Sequence, residues 1–125
     1  NGGCSSNAAS NAPFRGEKNS LYEGGVRTAA FIHSPLLDQT LRGTTYDSPF
    51  HMVDWLPTIL QGIVGVGEIT PGSSVVHNGL NQWDALTKVV DHPPRQSYLY
   101  NLEDYGDVGF RGAVGYGSMK LLVGE

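Results

Sequence analysis

Two residues near the start of the chain are of types that could handle an anion. Asn1, in Asn1-Gly2-Gly3, offers an amide oxygen that suits a hard cation such as Ca²⁺ when carboxylates supply the remaining ligands. Lys18, in Arg15-Gly16-Glu17-Lys18, offers an ammonium on a flexible stem, a compact point charge for sulfate or phosphate oxygens. A third glycine-rich stretch, Glu23-Gly24-Gly25-Val26-Arg27, follows closely. Together these are the parts of an anion site without its nucleophile. Each also has a plainer reading: a lysine in a polar loop is by default a solvated surface charge, and an asparagine before Gly-Gly is by default a turn.

The other titratable residues add little chemistry. His33, His51, His77 and His92 include no pair four apart on a helix, so no zinc motif is present. His51 lies just before Asp54 and reads as a packed or capping residue rather than a base. Asp84 and Glu103 could act as an acid–base pair only if the fold joined them, for which the sequence gives no ground. Glu103-Asp104-Tyr105-Gly106-Asp107 departs from the spacing of a calcium loop and reads as a solvated loop. No Gly-x-Ser-x-Gly elbow, phosphate-binding Gly-Lys-Ser/Thr loop or Cys-x-x-Cys pair occurs.

The elements that must position these residues follow from hydrophobic spacing. Residues 1 to 20 have almost no apolar periodicity and read as a surface loop in need of a scaffold. The apolar run Val26 to Ile32, closed by Ser34-Pro35, predicts a largely buried strand. Trp55, Leu56, Ile59, Leu60 and Ile63 fall on one helical face, predicting a helix from about Trp55 to Ile63 with Asp54 as N-cap, Pro57 in its first turn and a stop near Gly65 or Gly67. A short helix is expected over Asn81 to Val89 and a strand over Ser97 to Leu102. Gly117-Ser118 should turn a hairpin joining Ala113–Tyr116 to Met119–Val123. This order predicts an α+β unit with one main helix and a C-terminal antiparallel sheet, docked on a larger body rather than standing alone. The division expected is 1–63, carrying the opening loop, strand and helix, and 64–125, a smaller antiparallel subdomain.

Composition excludes some classes. With 125 residues, 39% hydrophobic and 16% charged, the chain has the size and make-up of one globular domain. Its formal charge of −4, from 12 acidic and 8 basic residues without a Lys/Arg cluster, argues against nucleic-acid binding. No apolar stretch of about 18 residues predicts a membrane span. The chain starts at Asn1 rather than Met and shows no leader, so it reads as the back half of a longer protein. Cys4 has no partner in the chain, and no Asn-x-Ser/Thr sequon marks it as secreted.

Read in order, Asn1-Gly2-Gly3, Asn11-Ala12-Pro13-Phe14-Arg15-Gly16-Glu17-Lys18, Leu21-Tyr22-Glu23-Gly24-Gly25-Val26-Arg27, Ser34-Pro35 and Asp54-Trp55-Leu56-Pro57-Thr58 resemble the type I sulfatases, closest to the arylsulfatase B-like branch. Asn78-Gly79-Leu80-Asn81-Gln82-Trp83, Pro94-Arg95 and Met119-Lys120-Leu121-Leu122 are similar to the same family's C-terminal part. Any one motif is weak, whereas their shared order is specific.

The resemblance implies a C-terminal fragment of a sulfuric ester hydrolase with an alkaline-phosphatase-like fold, lysosomal or secreted. It implies that Asn1 is a ligand of the active-site Ca²⁺, its Asp partner preceding this chain, and that Lys18 binds the substrate sulfate beside the catalytic aldehyde. Those two charges would stabilise the sulfate oxygens as sulfur is attacked. The formylglycine nucleophile of the family comes from a Cys-x-Pro-x-Arg motif. Cys4-Ser5-Ser6-Asn7-Ala8 lacks both Pro and Arg, so Cys4 is not that residue and the isolated chain is expected to be inactive. The implied partners are a sulfate ester, sulfated carbohydrates among the candidates, and the missing N-terminal catalytic portion. Asn78, Gly115 and Met119 depart from the family's usual Asp, Arg and Trp and read as structural changes. Two other readings stay open: a non-catalytic domain that binds a sulfated ligand, and a phosphate-ester hydrolase of the same superfamily.

Overall fold

The computed structural model describes residues 2–68 and 78–125. It divides into two compact units, residues 1–32 with 97–125 and residues 33–96. The first loop thus shares a unit with the last sheet.

In the first unit, strands β1 (Ser97–Asp104), β2 (Phe110–Tyr116) and β3 (Met119–Val123) form an antiparallel sheet in the order β1-β2-β3. The expected hairpin is present. Gly117 takes φ +55° at the first turn position, which a two-residue turn with glycine there requires, and Tyr116 pairs with Met119 across it. β1 runs two residues beyond expectation, so Glu103 and Asp104 belong to a strand and only Tyr105 onward turns away. The β1–β2 register shifts between Leu99 and Asn101.

The two faces of this sheet differ in kind. Tyr100 and Lys120 lie on the side that meets the N-terminal segment, where both reach Glu23. Leu99, Leu102, Phe110, Val114, Leu121 and Val123 line an apolar groove of about 340 Å³ on the other side. Contiguous exposed apolar surface of this kind marks a contact surface.

The run from Val26 to Ile32 is not a strand, contrary to expectation. A four-residue helix α1 (Glu23–Val26) precedes it, residues 27–32 have no regular structure, and Phe31 is 90% exposed. An apolar run becomes a strand only where neighbouring strands take up its N–H and C=O groups, and among the described residues none pairs with it.

The second unit is built on a continuous helical rod: a 3₁₀ turn Met52–Asp54, helix α2 (Trp55–Pro57) and a π-helical segment Thr58–Ile63. It ends as expected at Gly65, φ +77°, with Val66 N–H bonded back to Leu60 O at 2.9 Å. Its start differs from expectation at Asp54, while the capping reading of His51 is borne out. His51 is the N-cap: its Nδ1 accepts from Val53 N at 3.3 Å, while Asp54 sits a turn inside and accepts from His51 N at 2.9 Å. Pro57 therefore lies beyond the first turn. Proline donates no N–H to the Val53 carbonyl, and the Gly79 backbone covers that oxygen; a Cβ on Gly79 would lie 2.1 Å from it. Helix α3 (Trp83–Leu86) is shorter than expected; Asn81 Oδ1 receives Trp83 N–H at 2.9 Å, and Lys88, φ +58°, ends it.

The centre of this unit is polar. Among the described residues, Asp54, Thr58 and Gln82 are buried polar side chains, and Pro57 and Ala85 are buried apolar ones. Asp54 carries five hydrogen bonds: Arg95 Nε at 2.7 Å, Arg95 Nη2 at 2.6 Å, Leu80 N at 2.8 Å, His51 N at 2.9 Å and Gln82 Nε2 at 3.1 Å. Gln82 N donates to Thr58 Oγ1 at 3.0 Å, and Gln82 Oε1 accepts from Tyr46 at 3.1 Å. Burial alone would push the Asp54 carboxyl up, yet Arg95 and the three other donors hold it below the ordinary aspartate value. Among the described residues no helix is long and apolar enough to cross a membrane.

Candidate functional site

The loop that carries Lys18 is ordered by one carboxamide and by glycines. Asn11 Oδ1 accepts from Gly3 N at 2.8 Å, and Asn11 Nδ2 donates to Gly3 O at 2.9 Å and to Gly16 O at 3.2 Å. Lys18 N–H also reaches Gly3 O, at 3.1 Å. Gly2 N–H donates to Gly25 O at 2.9 Å and Gly24 N–H to Arg15 O at 2.8 Å.

These backbones approach too closely for any side chain. A Cβ on Gly24 would lie 2.2 Å from Gly16 O, and one on Gly25 would lie 2.2 Å from Ser20 O. The paired glycines thus serve main-chain crossings rather than anion binding through their own N–H groups.

Side chains close the same loop from outside. The Arg15 guanidinium stacks 4.1 Å over the Tyr22 ring and Arg27 lies 4.8 Å over Phe14, both as cation–π pairs. Glu17 Oε2 accepts from Ser5 N at 2.6 Å, and that backbone bond lowers the Glu17 carboxyl. Lys120 joins the sheet to α1, 2.8 Å from Glu23 Oε1 and 3.8 Å above the Tyr100 ring, whose hydroxyl also donates to Glu23 at 3.1 Å. Burial raises the Glu23 carboxyl, but Lys120, Tyr100 and Arg27 outweigh it and leave it lowered. Tyr100 is driven strongly upward by burial, Tyr98 and Glu23.

Lys18 itself is exposed. It stands at a cleft of about 290 Å³ that Ser20, Tyr100, Asn101, Glu103 and Arg111 also line. Arg111 is committed to Glu125 at 3.0 Å, to Glu103 at 3.8 Å and to the Asn19 carbonyl. Among the described residues the Lys18 ammonium has no ion-pair partner, so its charge is available to an oxyanion entering that cleft.

The remaining candidates are not gathered here. Asn1 and His77 lie outside the described residues. Asp84 belongs to the second unit and Glu103 to the first, where Glu103 takes the Tyr105 hydroxyl at 2.6 Å. Cys4 is a free, partly exposed thiol 3.0 Å from Ser6 Oγ. Among the described residues no group of three or more His, Cys, Asp or Glu side chains could hold a metal. Calcium takes about 6–8 oxygen ligands, so these residues alone do not fit a calcium site.

Nothing in the sequence singles out Asn11. Its importance comes from backbone groups eight residues before it and five after, and no periodicity encodes those.

Comparison of the chain's sequence with known proteins supports a sulfatase-family relationship. Over 125 residues it is 33% identical to arylsulfatase J of the mouse, Mus musculus; the match takes in 98% of this chain and 20% of the mouse protein. The chain thus spans about a fifth of the length of that mouse protein. No protein-family model matches the chain, and no solved structure does.

Proposed function

We propose that the chain is the C-terminal part of an arylsulfatase B-like sulfuric ester hydrolase of the alkaline-phosphatase-like fold, lysosomal or secreted, in which Lys18 binds the sulfate of the substrate. The observation that carries this reading is an exposed, uncommitted ammonium on a loop whose every glycine crossing is closed. A fixed positive charge lowers the barrier only if it already points where oxyanion charge grows, and a loop ordered by main-chain contacts meets that need without reorganising. Asn1 is proposed as a calcium ligand with groups outside this chain, and no step is derived through that ion. The nucleophile, a formylglycine, belongs to the portion of the longer protein that this chain does not include. That portion is also the proposed occupant of the apolar sheet face, since the relative is about five times as long as the aligned segment. Substrates are sulfate esters, with sulfated carbohydrates among them.

The test is Lys18→Ala in the intact polypeptide that carries this chain, assayed with aryl sulfate and aryl phosphate. The expected result is a fall in sulfatase kcat/KM of about 10²-fold or more with an unchanged melting temperature. Wild-type turnover by the variant would refute the role of Lys18. A preference for aryl phosphate would favour a phosphate-ester hydrolase, and sulfate binding without turnover a non-catalytic binding domain.

A further inference from the structure

We propose that Asn11 is a positioning residue for sulfate binding, acting through Lys18; this rests on the reading of Lys18 given above. Its carboxamide meets Gly3 as a neighbouring strand would, receiving the N–H at 2.8 Å and donating to the C=O at 2.9 Å. The second N–H of the same group holds Gly16 O at 3.2 Å, two residues before Lys18. The Gly3 carbonyl then takes Lys18 N–H at 3.1 Å as a second donor. One side chain therefore fixes the segment after Asn1 against the segment that carries the ammonium, and each of its polar groups is used in doing so.

Among the described residues no other side chain bonds both Gly3 and Gly16. Glu17 ties the Ser5 N–H at 2.6 Å, and Arg15 stacks on Tyr22, but neither reaches both Gly3 and Gly16. A Cβ on Gly3 would meet Ala9 Cβ at 2.3 Å and one on Gly16 would meet Ser20 Oγ at 2.3 Å, so no side chain on either glycine could replace the clamp. Without the carboxamide, the chain from Gly3 to Lys18 keeps the direct Lys18 N–H bond and loses three others. The ammonium then samples a wider volume, and an oxyanion binds it less tightly, because ordering it is left to the ligand.

The experiment is a double-mutant cycle in the intact polypeptide, using Asn11→Ala, Lys18→Ala and both together. Inorganic sulfate affinity by calorimetry and aryl sulfate kcat and KM are measured alongside the melting temperature. Positioning predicts that Asn11→Ala weakens sulfate binding and kcat/KM by about tenfold or more, while in the Lys18→Ala background it changes either by less than about twofold. A purely structural role predicts that the two losses multiply, which would overturn the inference, as would wild-type sulfate affinity in Asn11→Ala. Should Asn11→Ala not fold, Asn11→Asp keeps the shape and the acceptor, withdraws both N–H donors, and goes through the same cycle. If neither variant folds, Asn11 serves the fold alone and the positioning role is refuted. Wild-type activity in Lys18→Ala would instead refute the reading of Lys18 itself, and that result is separate from each of the others.

Discussion

Replacing Asp54 with asparagine changes one atom and should unfold the second unit. Every group that faces the Asp54 carboxylate is a donor: Leu80 N and Arg95 Nη2 at Oδ1, and His51 N, Gln82 Nε2 and Arg95 Nε at Oδ2. An asparagine must turn its NH₂ toward one of these sets. The milder choice points it at Leu80 N–H and Arg95, leaving a buried N–H unpaired at a cost of about 1–3 kcal/mol. It also removes the negative charge that Arg95, only 11% exposed, pairs with; breaking one side of a buried pair costs about 3–5 kcal/mol. These costs overlap, so about 3–5 kcal/mol is the working figure, comparable to the whole stability of a small domain at about 5 kcal/mol. With a urea slope of ~1 kcal/mol/M, the midpoint should fall by about 3 M or the transition should vanish. Both tryptophans, Trp55 and Trp83, lie in this unit, so intrinsic fluorescence of the chain reports on it directly. A midpoint within about 0.5 M of wild type would show that the Asp54 cluster does not hold the unit together.

The same carboxylate sets an acid limit. Its folded-state pKa is lowered, so its contribution is fully present above the ordinary aspartate value of about 3.9 and is lost as pH falls through the lower folded value. A fluorescence melt that is no less stable at pH 3 than at pH 6 would contradict this. Gly24→Ala places a Cβ 2.2 Å from Gly16 O and should cost about 1–3 kcal/mol by overpacking, whereas Gly67→Ala, with nothing within 4 Å, should be neutral; equal melting shifts would refute the crossing. Lys120→Met removes the partner of Glu23, a carboxylate more than a third exposed, so the loss should be small, under about 1 kcal/mol, and should shrink in salt. A salt-independent loss would point to the Tyr100 ring contact instead.

How much of this was legible in the sequence depends on the range of the interaction. The hairpin at Gly117-Ser118 and the helix stop at Gly65 are local, and the residues that cause them sit at the turn itself. The Val26–Ile32 run shows the opposite case. Its composition states a need for burial, but a strand also needs neighbours, and composition names none. Asp54 was misread as an N-cap for a related reason. Aspartate before an apolar helical face is a sound local signal, yet Arg95, 41 residues away, takes the carboxylate, and His51 caps the helix in its place.

The motifs that carried the family resemblance divide by what they do in the structure. Asp54-Trp55-Leu56-Pro57-Thr58, Asn78-Gly79-Leu80-Asn81-Gln82-Trp83 and Pro94-Arg95 converge on one buried polar cluster: Asp54, Thr58 and Gln82 bond within it, Gly79 admits the Val53 carbonyl, and Arg95 closes it while donating to Asn78 O at 2.8 Å. None of these side chains is exposed to a ligand in the way Lys18 is. In the N-terminal motifs, likewise, the glycines, Asn11 and Arg15 are spent on closing the loop. The order of motifs along the chain is therefore chiefly an order of structural contacts. Among the described charged side chains of these motifs, Lys18 is left without an ion-pair or hydrogen-bond partner, and it is there that a change should lower activity without lowering the melting temperature.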